Sequence, residues 1–446
     1  MKVEPSLSRS PSLRLGLTFL CLFAAAAAAA SAEDVHAFVG AEVIPIEGDP
    51  IADGVLVVRG AKIAAVGARG DVEVPAGAVV HDVTGKVVMP GLVDTHSHVG
   101  DGSAADRSAP IQPDVSVLDS INVRDRGFER ARAGGLTTLN VMPGSGHLMS
   151  GQTVYLKLRR ARTIDDFLIA TEDGGTAGGM KMANGTNSRR NPPFPGTRGK
   201  SAALVREQFV KARGYREKLE RAGDDPEERP DRDLAMEALV EVLEGKRVVH
   251  HHTHRHDDVL TVIRLSQEFG FRVVLHHVSE AWKVAEEIAE AGVPSSIIMI
   301  DSPGGKLEAR DVSYGNGAAL EQAGALVGFH TDDGITDSRL FLRSAALAVR
   351  AGMSRAGALY GLTMAGARML DLEDRIGSLE PGKDADFIVL SGDPLSIYTR
   401  VLETWVEGEK LFDRSREEDL LIAVGGYGAG APGAVHVECF EEEVGR

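Results

Sequence analysis

Between residues 89 and 372, short runs rich in β-branched residues alternate with longer stretches of helical pattern, such as residues 201–222 and 232–243. Repeated strand-to-helix units build parallel sheets, because parallel strands need a crossover connection that is usually a helix. The alternating region has the length of a (β/α)8 TIM barrel with insertions. The sequence therefore predicts an α/β fold with this barrel, at residues 89–372, as its main domain.

The two chain ends have a different pattern from the middle. Residues 33–88 contain short alternating apolar runs bounded by Gly or Pro, and strand-like runs return in residues 373–415. The simplest interpretation is a small β-sandwich domain formed by both chain ends. Residues 416–446 include a glycine-rich stretch at 425–430 and are predicted to form a flexible tail.

The amino terminus has the features of a targeting segment. Basic residues precede an apolar run at residues 15–30, and an Ala-Ser-Ala pattern ends at residue 32. We expect a signal peptide at residues 1–32 and a secreted or periplasmic protein, with an uncleaved anchor helix as the alternative. The cleaved chain would keep Cys439 alone, which excludes an internal disulfide. No stable membrane association is expected after cleavage.

The charge balance limits the partners. The chain has 49 Lys and Arg residues against 65 Asp and Glu residues, a formal net charge of −16. Nucleic acid and anionic membranes repel such a field, so neither is expected to bind. A small neutral or cationic substrate is compatible with this charge, and a homo-oligomer is not excluded.

The stretch from Met89 to His98 is the most informative motif. Side chains two residues apart point to the same face of a strand, so His96 and His98 can present two imidazoles to one metal ion. A His-x-His pair alone is a weak signal. Its position at the end of an apolar strand strengthens the signal, because active sites of these barrels lie at the carboxyl ends of the strands.

The same alternation selects candidates on later strands. His277 shares a face with the apolar residues that precede it, whereas His276 points the other way. In the histidine-rich run at 250–254, His252 is the best candidate for a metal ligand, and His254 is a candidate catalytic or substrate-contacting residue. Asp332 follows another apolar strand and can face the metal and act as a base.

Several polar residues near these strands are candidates for substrate binding. The segment 174–200 is rich in Gly, Asn, Pro and basic residues and cannot be one helix or strand. Long loops in compact domains are often functional, so Arg198 is a candidate, with solvated loop charge as the alternative. The same reasoning applies to Arg189, Arg190 and Lys200. His147, on a glycine-rich loop, and Asp333 are further candidates.

The chain has 14 histidines, so a surface patch that collects metal ions is a competing interpretation of the cluster at 250–256. Asp337 precedes an apolar helical stretch and could cap it or contact substrate. Packing or surface roles are expected for the remaining histidines, namely His36, His81, His250, His251, His256, His276 and His436.

Together these motifs resemble the amidohydrolase superfamily, in particular its imidazolonepropionase-like and Xaa-Pro-dipeptidase-like hydrolases. The resemblance rests on GKVVMPGLVDTHSHV, the HxTH run, VVLHHVSEAWKVAEEIAEAGVP, HTDDG and IGSLEPGKDADFIVLSGDP, in this order. It implies a metal-dependent hydrolase on a TIM barrel. It also implies metal ligation by His96, His98, His252 and His277, and Asp332 as both ligand and general base.

Many members of this superfamily bridge two metal ions with a carboxylated lysine, and Lys181 resembles that residue. A lysine can serve only if carbon dioxide converts its amine into an anionic carbamate. Lys157 is a competing candidate, and a site with one ion and no bridge is the third alternative. We expect a divalent cofactor, zinc above others, as one or two ions.

The resemblance implies hydrolysis of a C–N bond. A divalent ion lowers the pKa of bound water towards about 7, which allows attack on an amide-type carbonyl. The expected substrates are small molecules such as dipeptides, N-acyl amino acids or cyclic amides. An esterase, lactonase or deaminase activity and a catalytically silent metal-binding scaffold are the alternatives.

Overall fold

The computed structural model describes residues 35–100, 106, 108–299 and 306–426. The predicted signal peptide and residues 427–446 of the predicted tail lie outside this range. No helix in the part of the chain that is described combines the length and apolarity needed to span a membrane.

Seventeen strands are found in the described ranges. In chain order they are β1 (Val35–Val43), β2 (Ile51–Arg59), β3 (Lys62–Ala68), β4 (Val79–Asp82), β5 (Val87–Pro90), β6 (Leu92–Ser97), β7 (Leu136–Val141), β8 (Met149–Gln152), β9 (Val154–Lys157), β10 (Met180–Ala183), β11 (Val249–Thr253), β12 (Val273–His277), β13 (Ser295–Ile297), β14 (Val327–Phe329), β15 (Phe387–Leu390), β16 (Val401–Val406) and β17 (Glu409–Asp413).

The α-helices within the same ranges follow strands of the middle region, except α10, which follows β17. They are α1 (Gly127–Ala133), α2 (Arg198–Ala222), α3 (Leu234–Leu243), α4 (His256–Phe269), α5 (Ala285–Glu290), α6 (Asn316–Ala323), α7 (Phe341–Arg350), α8 (Arg355–Gly361), α9 (Met364–Met369) and α10 (Glu417–Val424).

Both chain ends contribute to one sheet. Its strands run in the order β17-β16-β15-β5-β1-β2-β3, and β4 pairs with β1. One face is covered by a cluster that includes Phe38, Leu56, Phe387 and Trp405. The pairing of β5 with β15 joins residues about 300 positions apart, as expected if the chain ends fold together. The described residues form one sheet here, so the two-layered sandwich stays a prediction.

The middle region is a mixed α/β array, as the alternating pattern predicts. Strands β10 to β14 are consecutive parallel neighbours in one sheet, and β8 pairs antiparallel with β10. A second sheet contains β6, β7 and β9. After β14, the Asp332 amide donates to the carbonyl of His96 (2.9 Å), which links the two sheets. The strand ladders of the described residues do not form one closed ring, so the closed barrel stays a prediction.

The start of the predicted flexible tail is ordered. Residues 417–424 form α10, with Ile422 buried. Arg339 donates from Nη1 to the carbonyl of Ile422 (2.8 Å) and to that of Gly425 (2.7 Å). These hydrogen bonds satisfy carbonyl groups at the helix end, which explains why this part of the tail is held against the domain.

Candidate metal centre

Residues from three strand ends meet at one point of the middle region. His96 Nε2 lies 3.3 Å from His98 Nε2 and 3.4 Å from Asp332 Oδ1. Asp332 Oδ1 is also 3.0 Å from His98 Nε2, and Asp332 Oδ2 is 4.0 Å from His277 Nδ1. One nitrogen of His96, one of His277 and one oxygen of Asp332 lie within 4.8 Å of one another. The structure therefore brings together four of the predicted metal ligands.

The hydrogen bonds of His98 favour a tautomer whose Nε2 lone pair is directed at the point where these residues meet. Its Nδ1 lies 2.8 Å from the Met142 carbonyl, which can only accept, so Nδ1 carries the proton. In the neutral ring Nε2 is then an acceptor, facing the Asp332 carboxylate and His96 Nε2. A positive charge at this point, either a metal ion or a proton on His98 Nε2, would satisfy the two nitrogens and the carboxylate. The residues therefore fit a divalent metal ion, for which imidazole and carboxylate are suitable ligands.

The electrostatics of the cluster agree with this fit. Burial and the charge of Lys181 hold the pKa of His96 well below its usual range, so the imidazole is neutral near pH 7. Burial opposes ionisation of Asp332, but contact with the neighbouring histidines and the charge of Lys181 outweigh it and lower the pKa of the carboxyl group. Buried nitrogens without a hydrogen-bond partner remain on His96 (Nδ1) and His277 (Nε2). Neutral imidazoles and an ionised carboxylate are the protonation states that bind metal.

The backbone at two of these residues has left-handed geometry. His277 has φ 67° and Asp332 has φ 49°. Such values are uncommon for residues other than glycine, and they occur preferentially where a site requires them. They also explain an error in the predicted facing of His276. Its ring lies 5.0 Å from that of His96, on the same side as His277, because side chains alternate only while the backbone stays extended.

The two candidate lysines have different environments. Lys181 on β10 is fully buried, and its Nζ lies 3.1 Å from His96 Nε2 and 3.0 Å from Met142 Sδ. Burial lowers the pKa of this amine to about 7. Lys157 on β9 binds Asp384 (2.8 Å) and Asp386 (2.5 Å) at the sheet formed by the chain ends. Lys157 is thus committed to an ion-pair network, and Lys181 is the lysine in contact with the candidate metal centre.

His252 and His254 lie beside this cluster and not within its closest group. The His252 ring centre is 4.4 Å from that of His277 and 4.7 Å from that of His254. Asn187 Nδ2 lies 3.2 Å from His252 Nε2. Ligand atoms of His252, His254 and Glu308 form a separate group within 4.8 Å of one another. The structure therefore places His252 between two groups of potential ligands.

A family comparison decides how these residues are to be interpreted. The family model described as "Amidohydrolase family" matches residues 87–412. This chain belongs to the amidohydrolase family. The family is metal-dependent, and family membership together with the relatives described next indicates a hydrolase acting on C–N bonds. The superfamily assignment from the sequence motifs is confirmed.

Individual relatives of the amidohydrolase support the same assignment. A solved amidohydrolase from Thermotoga maritima MSB8 is 34% identical, with a TM-score of 0.78, over 85% of this chain and 100% of that one. Imidazolonepropionase from Deinococcus radiodurans is 28% identical over 77% of this chain and 86% of its own length. Amidohydrolase tasK from Hapsidospora irregularis is 27% identical over 76% of this chain, which spans only 38% of that relative. Deaminases also occur among the relatives.

The predicted substrate contacts of the amidohydrolase have protein partners. Arg198 Nε donates to Asp258 Oδ2 (2.7 Å) at the start of α2. Asp333 is buried and accepts hydrogen bonds from the backbone and side chain of Ser338. His147 is buried, with its ring 5.4 Å from that of Phe194. The substrate roles of these three residues stay predictions.

Two residues near the centre were missed in the sequence. Asp94 accepts hydrogen bonds from the backbone amides of His96 and Thr331 (both 3.1 Å) and from the Thr331 hydroxyl (2.5 Å). Burial raises the pKa of Asp94 to about 7. His330 Nε2 lies 3.1 Å from His277 Nδ1. Alternation could have indicated both, because Asp94 is two residues before His96 and His330 two before Asp332.

Other histidines form a buried layer beneath the centre. The Tyr155 hydroxyl lies 2.9 Å from His250 Nε2, and His250 Nδ1 lies 3.0 Å from His276 Nε2. Both histidines are fully buried. Ligand atoms of His276, His96 and His330 also lie within 4.8 Å of one another, so the packing role expected for His276 stays a prediction. His256, by contrast, is near the surface and binds Glu280 (2.6 Å).

Proposed function

We propose that this amidohydrolase is an exported enzyme that hydrolyses the amide-type C–N bond of a small substrate with the help of a divalent metal ion, zinc above others. One observation carries the proposal. His96, His98, His277 and Asp332 come from distant parts of the sequence and direct donor atoms at one point. A catalytically silent scaffold would not require this geometry. Closure of the middle strands into a (β/α)8 barrel, with a β-sandwich beside it, is part of the proposal.

When bound, the divalent ion polarises the substrate carbonyl and makes water nucleophilic near neutral pH. His96, His98 and His277 would hold it as neutral imidazoles, with His252 as the further ligand that the sequence resemblance implies. Asp332 would complete the ligand set and has a second task. Its lowered pKa leaves it ionised, so it can accept a proton from the attacking water.

Return of the proton from Asp332 to the leaving group completes the reaction. A C–O bond forms as the water oxygen attacks the carbonyl carbon, and the C–N bond then breaks. Asp332 returns its proton to the leaving nitrogen, so the products are a carboxylic acid and an amine. The carboxylate is well placed for both transfers, because it lies at the centre of the cluster and is 19% exposed.

Lys181 is proposed as the bridge between two ions. Its neutral amine would add to carbon dioxide and release one proton, which gives an anionic carbamate. The contact between Lys181 Nζ and His96 Nε2 supports a location at the metal centre. His254 is proposed to contact the substrate, with its Nδ1 held by the Ser279 hydroxyl (2.7 Å).

The test is a substrate screen with metal-loaded protein. Dipeptides, N-acyl amino acids, cyclic amides, lactones and aminopurines would be compared for wild type and Asp332→Asn. The proposal expects hydrolysis confined to amide-type substrates and lost in the variant. Turnover of aminopurines alone would indicate a deaminase, as in some relatives, and turnover of lactones alone would indicate a lactonase. Hydrolysis that Asp332→Asn leaves unchanged would overturn the proposed mechanism.

A further inference from the structure

A second group of potential metal ligands adjoins the one described above. It contains His252, His254 and Glu308, whose ligand atoms lie within 4.8 Å of one another. All three side chains are buried. Glu308 lies in a short turn after β13 and was not singled out by any sequence motif. Two imidazoles and a carboxylate form a donor set that is common in zinc sites.

One oxygen of Glu308 has no hydrogen-bond partner. Oε2 accepts a hydrogen bond from the Thr186 amide (2.7 Å), whereas Oε1 is buried and unpaired. The approach of the carboxylate depends on Gly185, since a Cβ atom there would lie 2.5 Å from Oε2. An unpaired buried carboxylate oxygen is costly unless a cation or a donor satisfies it. The position of Glu308 therefore points to a ligand next to Oε1.

Nearby cationic side chains do not satisfy this oxygen. Arg198 is the basic side chain seen next to Glu308, with Nη2 3.8 Å from Oε2. This separation exceeds hydrogen-bond distance, and Arg198 Nε is bound to Asp258 at 2.7 Å. Lys306, the basic side chain two residues before Glu308, is exposed. The direct hydrogen bond of the Glu308 carboxylate is thus the one from Thr186 to Oε2.

The two histidines are prepared to bind a cation. His254 Nδ1 is bonded to the Ser279 hydroxyl, which leaves Nε2 available. His252, a member of the same group, has a buried Nδ1 without a hydrogen-bond partner. Orientation of one ring nitrogen by a hydrogen bond, with the other directed at the ion, is typical of metal-binding histidines.

We propose that His252, His254 and Glu308 form a binding site for a divalent cation, adjoining the group of His96, His98, His277 and Asp332. The inference extends the proposed metal-dependent function, because His252 touches both groups. Glu308 is then a metal ligand that has no counterpart in the ligand set implied by the sequence resemblance. This site would hold one ion by itself. Binding of that ion does not require a carbamate on Lys181.

Zinc titration of the chelated full-length chain tests this site by isothermal calorimetry and elemental analysis. Wild type is compared with Glu308→Gln, with His254→Asn as a second variant in case the first does not fold. Glu280→Gln is the matched control, because Glu280 is also buried but binds His256 and Lys283. We expect one zinc equivalent to bind at least about tenfold more weakly in Glu308→Gln and His254→Asn, and no change in Glu280→Gln.

The outcomes separate this inference from the proposed function. Equal zinc stoichiometry and affinity in wild type, Glu308→Gln and His254→Asn would overturn the cation site, and an altered KM alone would make Glu308 a substrate contact instead. His98→Asn should lose the other equivalent and retain the one that depends on Glu308. If only His98→Asn loses zinc, the proposed function survives and the further inference fails. A wild type that binds no zinc overturns both.

Discussion

His98 is held between a carbonyl group and a carboxylate. Its Nδ1 donates to the Met142 carbonyl at 2.8 Å, and its Nε2 faces Asp332 Oδ1 at 3.0 Å. The contact between His98 and Asp332 joins the end of β6 to the segment that follows β14, more than 230 residues later in the chain. The relationship assigns Nδ1 as the protonated nitrogen and leaves Nε2 for an ion.

Replacement of Asp332 tests the proton transfer. Asp332→Asn keeps the shape of the side chain but removes a base and an anionic ligand. We expect kcat to fall by at least about 10²–10⁴-fold, the usual contribution of a general base, because ligation is weakened as well. Steady-state kinetics at saturating zinc measure this, with Asp257→Asn as a control, since Asp257 pairs with Arg255 away from the cluster. Retained kcat in Asp332→Asn would remove this residue from the mechanism.

The two buried lysines give a matched pair of variants. Lys157→Met leaves Asp384 and Asp386 buried without their shared cation, so we expect a loss of about 3–5 kcal/mol in the free energy of unfolding. Lys181→Met removes an amine with no carboxylate in hydrogen-bond contact, so the metal-free protein should keep its stability while zinc binding weakens. Urea unfolding and zinc titration measure both effects. If Lys181→Met lost stability and Lys157→Met lost zinc binding, the roles given to the two lysines would be wrong.

Asp384 should make stability depend on pH in acid. Burial alone would raise the pKa of its carboxyl group, but the charge and hydrogen bond of Lys157, with Lys62 and Arg375, hold it at about 2. A lowered folded-state pKa contributes stability above the unfolded value near 3.9, and this contribution is lost as pH falls towards 2. Urea unfolding of metal-free protein from pH 5 to pH 2 should show that Asp384→Asn lacks up to about 2 kcal/mol of this decline. If the free energy of unfolding declined equally with pH in wild type and Asp384→Asn, the lowered pKa assigned to Asp384 would be contradicted.

Asp94 should position the metal centre without binding the ion. Asp94→Ala leaves the His96 and Thr331 amides and the Thr331 hydroxyl without their acceptor, which should cost at least about 1–3 kcal/mol of stability. Because Thr331 precedes Asp332, kcat should fall as well, while KM changes little. Asn at this position retains one acceptor oxygen and should recover part of both losses. No recovery by Asp94→Asn would favour a role for the negative charge itself.

Much of this site could be predicted from the sequence where the backbone is extended. His96 and His98 follow the two-residue repeat of a strand, and the order of the motifs along the chain identified Asp332. The repeat failed at His276, because the chain takes a left-handed conformation at the next residue, His277. Local conformation of this kind depends on tertiary contacts that the residue order does not display.

The sequence pattern did not predict contacts between distant loops. Arg198 was a candidate for substrate contact, a role that stays a prediction, and the sequence did not indicate the hydrogen bond from its Nε to Asp258, 60 residues later. Glu308 lies in a single 3-10 turn that is too short to show a periodicity, and its approach to Thr186 depends on the absence of a side chain at Gly185. Pairings of this type are decided by how loops meet in space.

Metal removal and reconstitution of one preparation tests the central claim most directly. The rate of hydrolysis of a small amide substrate would be measured after chelation and then as zinc is returned in steps below one equivalent per chain. We predict loss of hydrolysis on chelation and recovery as zinc is returned. A chelated protein, free of metal by elemental analysis, that hydrolyses the substrate at the original rate would contradict the role given to His96, His98, His277 and Asp332.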